Sequence, residues 1–132
     1  MTKILVGDIG GTKTTLAIAS PQRGPRDLLA GKTFPSVKFP SLEAIIEEFL
    51  AGTDLVINRA VFGIAGPVER GQVKTTNLPW LIEEVRLAKA FGFSSVHFMN
   101  DLEAMAYGVP HLEASELLVL NHGKPLKGGA IA

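Results

Sequence analysis

The stretch Asp8-Ile9-Gly10-Gly11-Thr12-Lys13-Thr14 constrains this chain more than any other, because it sets a glycine turn between two apolar runs. Ile4-Leu5-Val6 precedes it and Leu16-Ala17-Ile18-Ala19 follows, with Pro21 closing the second run before it can lengthen into a helix. The pattern predicts a β-hairpin with Asp8 at the end of the first strand and Gly10-Gly11 at the tip. Amide groups exposed on such a turn suit phosphate oxygens, and the carboxylate suits a hydrated Mg²⁺. Two other readings compete for these residues. Gly7 to Thr14 comes within one residue of the P-loop pattern, Thr12 standing where the second glycine belongs, but a P-loop must open a helix. Asp-x-Gly-Gly is also ordinary turn chemistry, so the octapeptide alone does not separate a phosphate site from a plain hairpin.

The rest of the chain narrows the choice. Its 132 residues form one domain by length, with 46% hydrophobic and 20% charged residues, as in a globular protein with a real core. Thirteen basic residues balance thirteen acidic ones without any basic run, which argues against nucleic acid or an anionic membrane as partner. Cysteine is absent, excluding disulfides, thiolate metal sites and cysteine nucleophiles. The first apolar stretch is too short for a signal peptide or membrane span, so a cytoplasmic location is expected by default.

Downstream, Leu28 to Phe34 reads as a third strand of a meander, and Pro35 to Pro40 as a loop. Ser41 is placed to cap a helix over Leu42–Leu50, whose apolar face is Leu42, Ile45, Ile46 and Phe49. Ala60 to Ala65 reads as a buried strand and Gln72 to Thr76 as a short one, with Trp80 a core anchor. A second helix is expected over roughly Leu81–Phe91, with Leu81, Val85 and Ala88 on one face. Val96 to Met99 reads as a strand running into Asn100-Asp101 and a helix from about Leu102 to Tyr107. Leu117 to Leu120 looks like a further strand, and Gly128 to Ala132 like a turn opening another. A hairpin followed by alternating strands and helices suggests an α/β mixed sheet covered by helices.

Two later segments carry chemistry. Asn100-Asp101 lies at the carboxyl end of a strand, where ligands collect in α/β sheets, although both types are also favoured helix caps. A carboxylate there can accept a proton from a substrate hydroxyl, and Asn100 can bond a neighbouring one. The segment Phe62-Gly63-Ile64-Ala65-Gly66-Pro67, then Thr75-Thr76-Asn77-Leu78-Pro79-Trp80, combines close-approach residues with uncharged donors and acceptors, which suits a polyol.

These three elements, in this order and spacing, resemble the bacterial glucokinases, and the related ROK sugar kinases share the Asp-x-Gly-Gly-Thr-Lys opening. The resemblance implies a ribonuclease H-like fold of the hexokinase–actin–Hsp70 superfamily. It also implies that residues 1–132 are the N-terminal lobe of a two-lobed sugar kinase, inactive without the C-terminal lobe, from a parent that is a homodimer. It makes Asp101 the base that deprotonates the 6-hydroxyl of glucose or a similar hexose, with Asn100, Gly66, Thr76 and Asn77 as further sugar contacts. Gly7, Asp8, Ile9, Gly10, Gly11 and Thr12 would cradle ATP, Asp8 facing Mg²⁺ through water. The product implied is glucose 6-phosphate, at the first step of glycolysis. An actin- or Hsp70-like ATPase module, and a sugar-binding regulator without turnover, are the alternatives from other classes.

Overall fold

A computed structural model describes residues 2–129. Strand β1 (Ile4–Ile9) pairs antiparallel with β2 (Lys13–Ala19), which pairs antiparallel with β3 (Leu28–Pro35), giving the expected meander. On its other edge β1 runs parallel to β4 (Arg59–Ile64), and β4 runs parallel to β7 (Ser95–Asn100). The five-stranded sheet therefore has the order β3-β2-β1-β4-β7. Helix α1 (Leu42–Ala51) links β3 to β4, and α3 (Asp101–Gly108) leaves the end of β7. Between β4 and β7 lie a small hairpin of β5 (Gln72–Lys74) and β6 (Leu81–Glu83), then α2 (Glu84–Phe91). The P-loop reading fails on topology, since a strand follows the glycine turn where that motif requires a helix.

The period-2 alternation of β1 decides what each face of the sheet holds. Leu5, Gly7 and Ile9 point to one side, level with Ala60, Phe62 and Ile64 on β4, and all of these except Gly7 are buried. That side carries the core, which extends to Leu42, Ile45, Ile46 and Phe49 of α1 and to Leu87 of α2. Ser41 caps α1 by accepting the Ala44 amide at 3.2 Å, as its sequence foretells. Phe49 then meets Phe34 of β3 edge-on at 6.4 Å between ring centroids. Gly7 has a packing role here. A Cβ on it would lie 2.6 Å from Cδ1 of Phe62 and 2.8 Å from Cδ2 of Leu16, its register neighbours on either side. The opposite side carries Asp8 on β1 and Gly63 on β4, level with each other. There α3 comes so close that a Cβ on Gly63 would lie 3.1 Å from Cβ of Ala104.

Two expectations are corrected. Leu81–Glu83 is strand, not the first turn of a helix: it pairs residue for residue with β5, putting Ile82 beside Val73 in the core. Helix α2 starts at Glu84, and its buried residue is Leu87, while Leu81 and Val85 stand in solvent. Pairing with β5 satisfies backbone groups that a helix start would leave open, and it rotates the predicted face away from the core. Leu117 to Leu120 is irregular, with Leu118 and Leu120 83% and 90% exposed. No described strand pairs with it, and a strand exists only through a partner. Ala130–Ala132, the start of the other strand expected near the end, lie outside the described residues.

Candidate active site

The carboxyl ends of the parallel strands β1, β4 and β7 lie together at one end of the sheet, where β1 enters the glycine turn, β4 enters a loop and β7 enters α3. A cleft of about 340 Å³ lies there, lined by Gly7, Asp8, Gly63, Asp101, Ala104 and Met105. The two carboxylates chosen from the sequence, ninety-odd residues apart in the chain, thus face a common space. Small residues at Gly63 and Ala104 let α3 approach β4 and bring Asp101 to this cleft. Asp8 is exposed and has no ion-pair partner among the described residues.

Asn100 is the cap of α3. Its Oδ1 accepts the Leu102 amide at 2.9 Å, while its Nδ2 donates to the Gly66 carbonyl at 2.8 Å. One side chain therefore ties the end of β7 to the loop after β4. Asp101 Oδ1 also accepts the Leu102 amide, at 3.0 Å, which leaves its second oxygen free for other chemistry.

A second hollow, of about 130 Å³, is lined by Ile9, Gly10, Gly11, Ala65, Gly66, Thr75, Thr76 and Asn77. The glycine turn and the Thr76-Asn77 loop meet in it: a Cβ on Gly11 would come within 3.1 Å of Cβ of Asn77. Thr75 closes this loop, its Oγ1 donating to the Leu78 carbonyl at 2.8 Å, and Trp80 anchors it through Nε1 to the Phe39 carbonyl at 3.2 Å. Trp80 is the core anchor that its sequence position suggests. Ile9 reaches the hollow from the end of β1, but its side chain belongs to the core and its carbonyl accepts the Ala65 amide at 3.0 Å.

The turn itself is closed by the Gly10 amide donating to the Lys13 carbonyl at 3.0 Å. Among the described residues, the Gly11 and Thr12 amides donate to no protein acceptor. Two free N–H groups at an exposed glycine tip are what an anion needs. Sequence reasoning missed Ser36, which lies buried under this tip next to buried Thr14. The signal was the register: β3 sets Pro35 against Lys13, so the next residue falls beneath Thr12. That register was not readable before the pairing was known.

A larger, open hollow of about 760 Å³ lies by the β5–β6 hairpin, between Pro67, Arg70 and Leu81. Its lining side chains all stand in solvent, so it offers no enclosed chemistry.

With this geometry in view, the sequence profile of glucokinase matches residues 5–132. The chain belongs to the glucokinase family. It is 37% identical over 128 residues to the glucokinase of Nostoc punctiforme, covering 95% of this chain and 37% of that protein. The crystal structure of glucokinase from an Antarctic psychrotroph superposes with a TM-score of 0.83 at 32% identity, covering 94% of this chain and 40% of that one. A ROK hexokinase from Thermus thermophilus shares the fold at a TM-score of 0.68 and 24% identity, over 87% of this chain and 40% of that one. The chain therefore spans about two fifths of the length of its glucokinase relatives. The resemblance read from the motifs holds, and so does the actin-like α/β fold that it implied.

Proposed function

We propose that this chain is the N-terminal lobe of an ATP-dependent hexokinase that phosphorylates glucose at its 6-hydroxyl. The observation that carries the reading is the single cleft shared by Asp8 and Asp101, beside the contact of Gly11 with Asn77. Family membership supplies the substrate class, and the site supplies roles for its residues.

Asp101, held at the start of α3, takes the proton of the 6-hydroxyl as that oxygen attacks the terminal phosphorus of ATP. A positioned base of this kind contributes about 10²–10⁴-fold. Asn100 has one N–H left after bonding Gly66 and presents it to an adjacent sugar hydroxyl. Thr76, Asn77 and the Gly66 backbone line the neighbouring hollow and complete the polar surface on this side of the sugar. The Gly11 and Thr12 amides bind phosphate oxygens. Phosphoryl transfer asks little covalent work of the protein, so alignment and charge neutralisation dominate.

The donor set fits Mg²⁺ only as a hydrated ion. Among the described residues no group of three or more His, Cys, Asp or Glu converges, and Asp8 is a lone exposed carboxylate at the cleft. A magnesium ion held there through water would supply charge neutralisation for the phosphates. Mg-ATP and hexose both belong to the cytoplasm, where this reaction opens glycolysis. No helix among the described residues is long and apolar enough to cross a membrane.

A coupled assay on the full-length protein tests the reading. Sugar-dependent ADP release with glucose ahead of its deoxy analogues is expected, since a site that bonds hydroxyls rejects analogues lacking one by up to about 10⁴–10⁵-fold. ATP hydrolysis indifferent to every hexose would favour an actin- or Hsp70-like switch instead.

A further inference from the structure

We propose that Ser36 is the positioning residue of the phosphate-binding turn; the inference rests on the kinase reading above. Ser36 follows β3 directly and is fully buried, as is Thr14 on the returning strand of the hairpin. Three hydrogen bonds join Ser36 to the turn. Its amide donates to the Thr12 carbonyl at 2.9 Å, and its Oγ donates to the Gly10 carbonyl at 2.8 Å. The third links Thr14 Oγ1 and Ser36 Oγ at 2.9 Å. A serine has one hydroxyl proton, and Gly10 receives it, so Thr14 must be the donor in that pair.

The consequence lies in the peptide planes. Ser36 draws the carbonyls of Gly10 and Thr12 inward from either side of Gly11. The carbonyl of Gly10 and the amide of Gly11 belong to one peptide plane, so pulling that oxygen inward turns the Gly11 N–H outward. The Thr12 carbonyl, two residues along, shares its plane with the Lys13 amide, so the bond from the Ser36 amide fixes that plane as well. The intervening Thr12 amide, which has no protein acceptor among the described residues, is thereby held between two anchored planes. Pre-set donors bind an anion without the cost of ordering the loop, which is how a residue that never touches ATP governs its affinity.

A buried hydroxyl pair can also serve stability alone, and three variants of the full-length enzyme separate the two roles. Thr14→Val removes the donor to Ser36 but leaves the bond from Ser36 to Gly10. Ser36→Ala removes both bonds and strands the Thr14 hydroxyl in the core. The double variant Ser36→Ala/Thr14→Val has no stranded hydroxyl but still leaves Gly10 unpinned. KM for ATP should rise between about 10- and 100-fold in Ser36→Ala and in the double variant, with KM for glucose within about twofold. Thr14→Val should keep KM for ATP near that of the wild type, and the melting temperature should recover from the single Ser36 variant to the double. Hydrogen exchange of residues 10–14, which needs no turnover, should quicken in both Ser36→Ala proteins and not in Thr14→Val. Unchanged exchange and unchanged KM for ATP in Ser36→Ala would overturn the proposal, as would a double variant that regains ATP affinity together with stability. A wild-type enzyme without sugar-dependent turnover rejects the kinase reading instead, and the exchange comparison still decides whether Ser36 holds the turn.

Discussion

Gly7 was expected at the phosphate cradle; it lines the cleft of Asp8 and Asp101 and also has a packing task, and Gly7→Ala separates the two. An added Cβ would stand 2.6 Å from Cδ1 of Phe62 and 2.8 Å from Cδ2 of Leu16, where carbon atoms prefer about 3.5–4.0 Å. One or both neighbours must move by about 1 Å, and neither is at a free edge. Both are fully buried, and Phe62 is held edge-on against Phe98 at 6.1 Å between centroids. Overpacking of this kind costs about 1–3 kcal/mol, offset by about 0.4–1 kcal/mol from the stiffer unfolded chain. For a domain of this size, the net lowers the melting temperature by roughly 2–10 °C. Leu16→Ala opens space beside the new methyl, so Gly7→Ala/Leu16→Ala should be less destabilised than the sum of its parts by at least about 0.5 kcal/mol. Thermal and urea unfolding of the four proteins measure this cycle. Strict additivity, or a Gly7→Ala protein that keeps its melting temperature and loses only ATP affinity, would refute the packing argument and return Gly7 to the ligand.

Asp101→Asn in the full-length enzyme should lower kcat by about 10²–10⁴-fold at nearly unchanged sugar affinity. Asn100 caps α3 by itself, so the melting temperature should barely move; a large fall with turnover retained would make Asp101 a structural residue. Asp8→Asn should raise the Mg²⁺ and ATP concentrations needed for half-maximal rate, and an unchanged dependence would remove it from the phosphate site. Arg26 bonds Glu116 and, with the Glu113 amide, holds its carboxyl down at about 2, below its ordinary 4.5. A depressed carboxylate stabilises its contact fully above the unfolded value and loses it as pH falls towards the folded one. The segment 109–116, also tied by Arg26 to the His111 carbonyl, should therefore loosen between about pH 4.5 and 2, read by hydrogen exchange corrected for intrinsic rates. Arg26→Ala should weaken that pH dependence, leaving only the part due to the Glu113 amide. The chain of 132 residues by itself should release no ADP in the presence of glucose, because misplacing reactants by about 1 Å already costs 10²-fold and one lobe holds only one side of them.

Local chemistry in the sequence determined much of this protein. The apolar runs around Gly10-Gly11 specify a hairpin, Ser41 starts α1 where a cap belongs, and Asn100-Asp101 marks the passage from β7 to α3. These signals reside in neighbouring residues, whose propensities and caps act over a few positions whatever the rest of the chain does. Other features exist only through contacts between distant segments. Leu81-Ile82-Glu83 carries a helical pattern, yet pairing with β5 makes it strand. Leu117 to Leu120 has strand-like residues and no strand, because no described strand pairs with it. Gly7 reads only as a ligand position until Leu16 and Phe62 are seen filling the space above it, a packing task added to its place in the cleft lining. Ser36 reads as loop until the register of β3 against β2 sets it beneath the turn. Asp8 and Asp101 were each legible as candidate site carboxylates, but only parallel pairing of β1, β4 and β7 brings them to one cleft. Pairing register and close packing are properties of the whole assembled sheet. A linear pattern carries which residues can pair, and tertiary structure alone decides which ones do.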